Sequence, residues 1–185
     1  MPALIASAAR QYVALLRGIN VGRAKRVSMS ELREIVESLG HEDVATLLRS
    51  GNVIFRGRGP TERLGRDLEQ AIEARLRLDV RVVIRTGDEL AAIVEANPMP
   101  EAAGDGSGLH VMFLEKPIGA DERARLEEAD FRPDQVRPSG GEIYVWYRHG
   151  VTGSRTAAKL AQLMTTTATD RNWNTVTKLA QLTRN

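Results

Sequence analysis

From Tyr12 to Ile84 the spacing of apolar residues changes in a fixed order, and that order restricts the chain more than any other feature. Tyr12 to Leu16 is an unbroken apolar run of the length of a buried strand. Ser28 to Leu39 places Leu32, Ile35, Val36 and Leu39 on one helical face behind a capping signal, Ser28 with Glu31, and Gly40 ends it. Two short runs, Val44 to Leu48 and Val53 to Phe55, are joined through Arg49-Ser50-Gly51-Asn52, a turn sequence, and predict a hairpin. Pro60 and Glu62 open a helix that carries Leu64, Leu68, Ala71, Ile72 and Leu76 inward. Val80 to Ile84, β-branched almost throughout, predicts the strand that follows.

Strand, helix, strand, strand, helix, strand is the order of a split βαβ, ferredoxin-like unit, complete by about Arg85. The remainder repeats it. Thr86-Gly87-Asp88-Glu89 is a second capping box, opening a short helix with Leu90, Ile93 and Val94 that Asn97-Pro98 stops. Residues 97–108, rich in proline and glycine, read as a mobile loop. Then come a strand at Leu109–Leu114, a helix at Ala120–Ala129, and a hairpin of Val136 with Ile143–Tyr147 turning at Ser139-Gly140-Gly141. A helix at Ser154–Met164, a short strand at Thr165–Thr169 and a helix from about Asn174 to Leu182 complete the chain. The hairpin S-G-N-V-I-F at 50–55 and S-G-G-E-I-Y-V at 139–145 fall in the same slot of the two halves. The expectation is an α+β protein of two tandem ferredoxin-like subdomains packed together, over 1–86 and 87–185. The second carries the loop 97–108 and an extra C-terminal helix.

With 185 residues, 42% of them apolar, the chain has material for a real core. Cysteine is absent, which excludes disulfides, thiolate metal sites and a cysteine nucleophile and fits a reducing cytoplasm. Met1 to Ala9 is apolar but lacks a basic start, and no run approaches the ~18 apolar residues of a membrane span. The expectation is a cytoplasmic protein that meets no membrane. Twenty-six Lys and Arg against 24 Asp and Glu leave a net charge of only +2, so bulk charge gives no reason to expect nucleic acid.

Local clustering does. Between Arg10 and Glu31 there is no acidic residue, and the segment R-G-I-N-V-G-R-A-K-R at 17–26 holds Arg17, Arg23, Lys25 and Arg26 with Gly18, Asn20 and Gly22 among them. Glycine lets the backbone come close to a ligand, and guanidinium groups grip phosphate oxygens bidentately. The plain structural reading of the same loop is solvated arginines paired with Glu31, Glu34 or Glu37 of the next helix. Neither G-x-x-x-x-G-K-[ST] nor G-x-G-x-x-G occurs, so this is no nucleotide fingerprint. Ser50 and Asn52 offer a hydroxyl and an amide, but Ser50-Gly51-Asn52 also suits a tight turn for backbone reasons. Before the last helix, Arg171, Asn172, Asn174 and Thr175 surround Trp173: Asn172 or Asn174 can cap the helix, whose free N–H groups can hold an anion, while Trp173 anchors it. Tyr144 and Trp146 share one face of their strand, the arrangement with which RNA-binding sheets stack bases, although the matching motif is missing. His41, His110 and His149 are scattered without metal-ligand spacing, so no metal or cofactor is expected, and no catalytic base, nucleophile and orienting group can be nominated.

L-L-R-G-I-N-V-G at 15–22, L-L-R-S-G-N-V-I-F at 47–55 and T-D-R-N-W-N-T-V-T-K-L at 169–179 occur together in this chain. In that combination it resembles the bacterial family called domain of unknown function 1697 (DUF1697), over essentially its whole length. Arg23 stands where a second glycine after Gly22 is expected, and Arg155 follows Ser154 where lysine is common; both keep or add positive charge. The resemblance implies a two-part α+β architecture and carries no activity. The leading expectation is a protein that binds an anionic, phosphate-bearing ligand, nucleic acid or nucleotide, through the basic loop and the Arg171–Thr175 segment. An enzyme acting on a small phosphorylated substrate and an oligomeric interaction module are the alternatives, and the sequence leaves the oligomeric state open.

Overall fold

The computed structural model of the chain describes residues 8–20 and 26–184. Two compact units divide it, one over Met1–Glu89 with Thr183–Asn185 and one over Leu90–Leu182. It is a mixed α+β protein with, among the described residues, two four-stranded antiparallel sheets and six helices.

In the first unit the order is β1 (Arg10–Leu16), α1 (Met29–Ser38), β2 (Glu42–Leu47), β3 (Asn52–Gly57), α2 (Thr61–Leu76) and β4 (Val82–Thr86). The sheet runs β2-β3-β1-β4, so the first strand is central and every neighbour is antiparallel. Alternation along the strands sends Tyr12, Ala14 and Leu16 of β1, Val53 and Phe55 of β3, and Val82 and Ile84 of β4 to one face. There they meet Leu32, Ile35 and Val36 of α1 and Leu64, Leu68 and Ile72 of α2 in a buried core. Both helices start and stop for local reasons. Ser28 accepts from the Glu31 N–H at 3.1 Å while its own N–H reaches the Glu31 carboxylate at 3.4 Å, the reciprocal cap expected from the sequence. At the other end of α2, Arg77 takes the left-handed conformation and donates its N–H to the Glu73 carbonyl.

The helix α3 (Gly87–Glu95) begins in the first unit and ends in the second, opened by the Thr86–Glu89 box in which each residue bonds the other's N–H, at 2.7 and 3.1 Å. The second unit continues with β5 (Leu109–Leu114), α4 (Ala120–Glu128), β6 (Gln135–Ser139), β7 (Glu142–Trp146), α5 (Arg155–Leu163), β8 (Ala168–Asn172) and α6 (Trp173–Leu182). Its sheet order, β6-β7-β5-β8, repeats that of the first. Leu114, Val136, Ile143, Val145 and Tyr147 pack there with Leu126 of α4, Phe131 and Leu160 of α5.

Two expectations change. The last strand is Ala168–Asn172, shifted three residues toward the C-terminus from Thr165–Thr169, and pairs Leu114 with Ala168 through His110 with Asn172. Thr165 and Thr166 are engaged otherwise: the Thr165 N–H goes to Glu122 at 2.7 Å, and the Thr166 hydroxyl accepts from the Lys116 N–H. Residues 97–108 are built rather than loose, with Met99 and Ala102 buried around a 3-10 turn at Pro100–Ala102. The Asp105 carboxylate takes the Gly108 N–H and the Trp146 indole N–H at 3.0 Å each.

Candidate functional site

The basic loop leaves the C-terminal end of β1, and the structure shows what supports it. The β2–β3 turn lies under it: the Gly51 carbonyl accepts the Leu16 N–H at 2.9 Å. Ile19 is buried so tightly against this turn that a Cβ on Gly51 would stand 2.7 Å from its Cδ1. Gly51 also has φ +82, so the position suits glycine on both counts. Asn20, in the left-handed region at φ 55, spends its whole amide on the backbone. Its Nδ2 donates to the Val27 carbonyl at 2.9 Å and to the Arg49 carbonyl at 2.8 Å, and its Oδ1 accepts the Val27 N–H at 3.0 Å. That one side chain ties the loop's start to its end and to the neighbouring turn.

On this frame Arg17, Arg26 and Arg49 are exposed. None has a carboxylate partner among the described residues. Two of the three helix carboxylates that could neutralise them are committed: Glu31 bonds Ser28, which holds its carboxyl below the usual range, and Glu34 pairs with Arg75 of α2. Gly18 is beside Arg17 at φ +66, with open space where a side chain would be. Gly22, Arg23 and Lys25 lie outside the described residues. Ser50 is exposed and accepts from Asn52 Nδ2 at 3.1 Å; Asn52 itself is fully buried and donates to the Leu47 carbonyl at 2.8 Å. Arg49, next to these, is the cation the sequence reading passed over; its signal was its place in the turn, which gives no hint that Asn20 holds its carbonyl.

The C-terminal candidates lie in the second unit and do different work. Arg171 is a buried β8 residue whose Nη1 donates to the Thr169 hydroxyl at 2.9 Å and the Asp170 carbonyl at 2.7 Å, and burial pulls its pKa down to about 10. It stays charged at neutral pH. Asn172 caps α6, its Oδ1 accepting the Thr175 N–H at 3.0 Å, and Thr175 is buried. Asn174 is exposed, with its N–H on the Gly106 carbonyl at 3.1 Å. Tyr144 is buried and donates to the Ile93 carbonyl at 2.6 Å, whereas Trp146 carries Arg148 over its ring at 4.0 Å.

His110, which the sequence leaves as one of three scattered histidines, has a defined job in β5. Its Nδ1 meets Asp170 Oδ2 at 2.8 Å and its Nε2 meets the Ser107 carbonyl at 3.0 Å. Both partners are acceptors, so the doubly protonated ring satisfies both. Burial works against that charge, but the hydrogen bond and charge of Asp170 outweigh it, and the pKa is raised. With both nitrogens occupied His110 offers no free base; it pins the 105–108 loop to the sheet. Asp105 is held below the ordinary carboxylate range, first by the Trp146 N–H and then by the Gly108 N–H. Among the described residues no three His, Asp or Glu side chains gather as metal ligands, and no helix is long and apolar enough to cross a membrane.

Comparison with known proteins adds the following. A family model described as "Protein of unknown function (DUF1697)" matches residues 9–144. A solved structure described as that of the conserved bacterial protein SP0830 from Streptococcus pneumoniae is similar over 96% of this chain and 100% of its own, with a TM-score of 0.75 and 23% sequence identity. At that identity the likeness is one of fold. No curated protein matches the chain.

Proposed function

The chain belongs to the DUF1697 family, and we propose that it binds a phosphate-bearing anion, nucleic acid or nucleotide, at the basic loop that follows β1. The observation that carries the reading is the set of exposed arginines without carboxylate partners, Arg17, Arg26 and Arg49, on a backbone that Asn20 clamps. The Asn20 clamp fixes the backbone at Val27 and Arg49, which lowers the ordering cost at binding, and guanidinium groups fit phosphate oxygens. Arg23 and Lys25 add two charges to the same segment. We also read each unit as a ferredoxin-like split βαβ fold, on the ground that each places its first strand in the middle of a four-stranded antiparallel sheet with two crossing helices. A cytoplasmic location is part of the proposal and rests on the absence of cysteine.

Fluorescence anisotropy with a labelled single-stranded oligonucleotide, repeated over a range of salt, tests it. Four phosphate contacts by Arg17, Arg23, Lys25 and Arg26 give a log-log slope of about −3, at ~0.7 per contact. The double variant Arg17→Gln/Arg26→Gln lowers affinity for all sequences alike and flattens the slope by about 1.4, because phosphate contacts read no bases. A shallow slope with tight binding of a mononucleotide shifts the reading to a small phosphorylated substrate. No binding of either at low salt ends it, and the oligomeric interaction module takes its place.

A further inference from the structure

The first unit has a cationic concavity at the end of its sheet away from the basic loop. β1 pairs Leu15 with Asn52 beside the basic loop and Arg10 with Gly57 at its far end, five residues away, about 17 Å at ~3.4 Å per residue. Two adjoining depressions of about 270 and 340 Å³ open at the far end, and His41 and Arg58 line both. Arg63 and Asp67 of α2 close one, and Glu42 and Arg56 at the start of β2 and the end of β3 close the other.

The strand is shaped around the histidine. His41 lies on Phe55 with ring centroids 4.6 Å apart, and a Cβ on Gly57 would come within 2.8 Å of its Nδ1, so only a glycine in β3 leaves room for the ring. The ring is half-buried, yet among the described residues neither nitrogen has a hydrogen-bond partner. Its nitrogens are open to the cavity rather than buried, so His41 presents a donor and an acceptor there. Around it stand Arg56, Arg58 and Arg63 against Asp67 and Glu42, an excess of positive charge. Arg56 and Arg58 are exposed and without ion pairs among the described residues. The Arg63–Asp67 contact is an exposed i,i+4 pair at 3.6 Å, weak enough for Arg63 to turn to a better acceptor. The bend that carries Arg58 is fixed, since the Tyr12 hydroxyl donates to the Gly59 carbonyl at 2.8 Å.

We propose that His41, Arg58 and Arg63, with Arg56 at the rim, form an oxyanion site for phosphate, free or as the monoester of a small molecule. The volume is at the small end of ligand cavities, about 300–1,000 Å³, which suits one phosphate and a short substituent better than a polymer. In the first depression two charged forks, Arg58 and Arg63, and the imidazole N–H suit a tetrahedral dianion, with Arg56 adding charge from the adjoining one. This site stands independently of the basic loop.

The chain has three histidines, so the imidazole C–H resonances of the full protein resolve it, and His41→Gln identifies its own peak. Inorganic phosphate and glycerol phosphate are titrated separately at constant ionic strength. The expected result is a saturable shift of the His41 resonance, with His110 and His149 still, and a His41 titration midpoint that rises when phosphate is bound. Arg58→Gln and Arg63→Gln each weaken the affinity about tenfold or more, the loss expected for one charge-assisted hydrogen bond. Arg17→Gln/Arg26→Gln leaves it unchanged, which separates this site from the loop. Tighter binding of glycerol phosphate assigns the ester and tighter binding of inorganic phosphate the free ion, and each supports the site. A shift that does not saturate, one shared by all three histidines, or an affinity unchanged in both arginine variants overturns the proposal.

Discussion

The two hairpin turns occupy the same position in two sheets of the same strand order, yet they are made differently. In the first unit the turn at 48–51 lies under the basic loop, with Gly51 wedged against Leu16 and Ile19. In the second unit the turn at Gly140-Gly141 is open around both glycines, where a Cβ would find no atom within 4 Å, and the Gly140 carbonyl accepts from Arg123 Nη2 of α4 at 3.2 Å. The difference follows from the connections next to them. Residues 17–28 join β1 to α1, whereas only 115–119 join β5 to α4. A long connection has backbone groups to satisfy and needs a floor to lie on, and the first turn supplies both through Gly51 and Arg49. A short connection needs neither. The cationic frame therefore belongs to one unit's loop and not to the topology the two units share.

The largest effect that tests this contrast is at the glycines. Gly51→Ala has to put a side chain at positive φ and 2.7 Å from Ile19, so left-handed strain of ~1–2 kcal/mol adds to overpacking of ~1–3 kcal/mol, about 3 kcal/mol in all. Gly140→Ala, at φ +59 in open space, carries the strain alone, about 1 kcal/mol. Urea midpoints of the two variants measure the gap. Equal losses would break the contrast, because they would mean that the first turn supports nothing.

A smaller effect sharpens a likeness between the units. In each, the last strand passes directly into a helix and its last residue caps that helix: Thr86 for α3 and Asn172 for α6. Thr86→Ala and Asn172→Ala are each expected to cost ~1 kcal/mol in chemical denaturation. Asn174, exposed and making only a backbone bond, costs less than ~0.5 kcal/mol as Asn174→Ala. A loss at Asn174 as large as at Asn172 would show that the cap is misassigned.

What could be read from the sequence divides along the same physical line. Apolar period and capping pairs are local, so α1, α3 and the central strands are legible from Ser28, Glu31, Thr86, Glu89 and the apolar runs. β8 is legible only as a strand near the threonine run, and its bounds are not, because Thr169 and Arg171 face inward through hydrogen bonds and leave no apolar period. Arg17 and Arg26 are plain as cations, but the clamp that makes them a surface joins Asn20 to Arg49, 29 residues away. The His41 concavity draws on β2, β3 and the first turns of α2, and no window of sequence contains it. The asparagine-rich stretch before α6 offered two caps, and only the geometry of the first turn separates Asn172 from Asn174.

The smallest predicted effect compares one histidine of each unit by pH. Burial lowers the pKa of His41 below the ordinary 6.5, with Asp67 opposing, whereas Asp170 raises that of His110 above it despite burial, with the Ser107 carbonyl and Asp105 assisting. Stability follows the difference in protons bound between the unfolded and folded states, with the folded state gaining wherever it binds more. For His41 the folded chain binds fewer protons between its lowered pKa and 6.5, so its share of stability rises with pH through that window and is complete above it. For His110 the folded chain keeps a proton that the unfolded chain has released, so its share is full below 6.5 and is lost as pH climbs through the raised pKa. Together the two groups give a stability maximum near pH 6.5, away from the carboxylate range. Urea midpoints between pH 5 and 8 should therefore lose their acid-side slope in His41→Gln and their alkaline-side slope in His110→Gln. Slopes of the same sign for both residues would show that the two histidines sit in like environments, against the geometry that leaves one ring without partners and gives the other two.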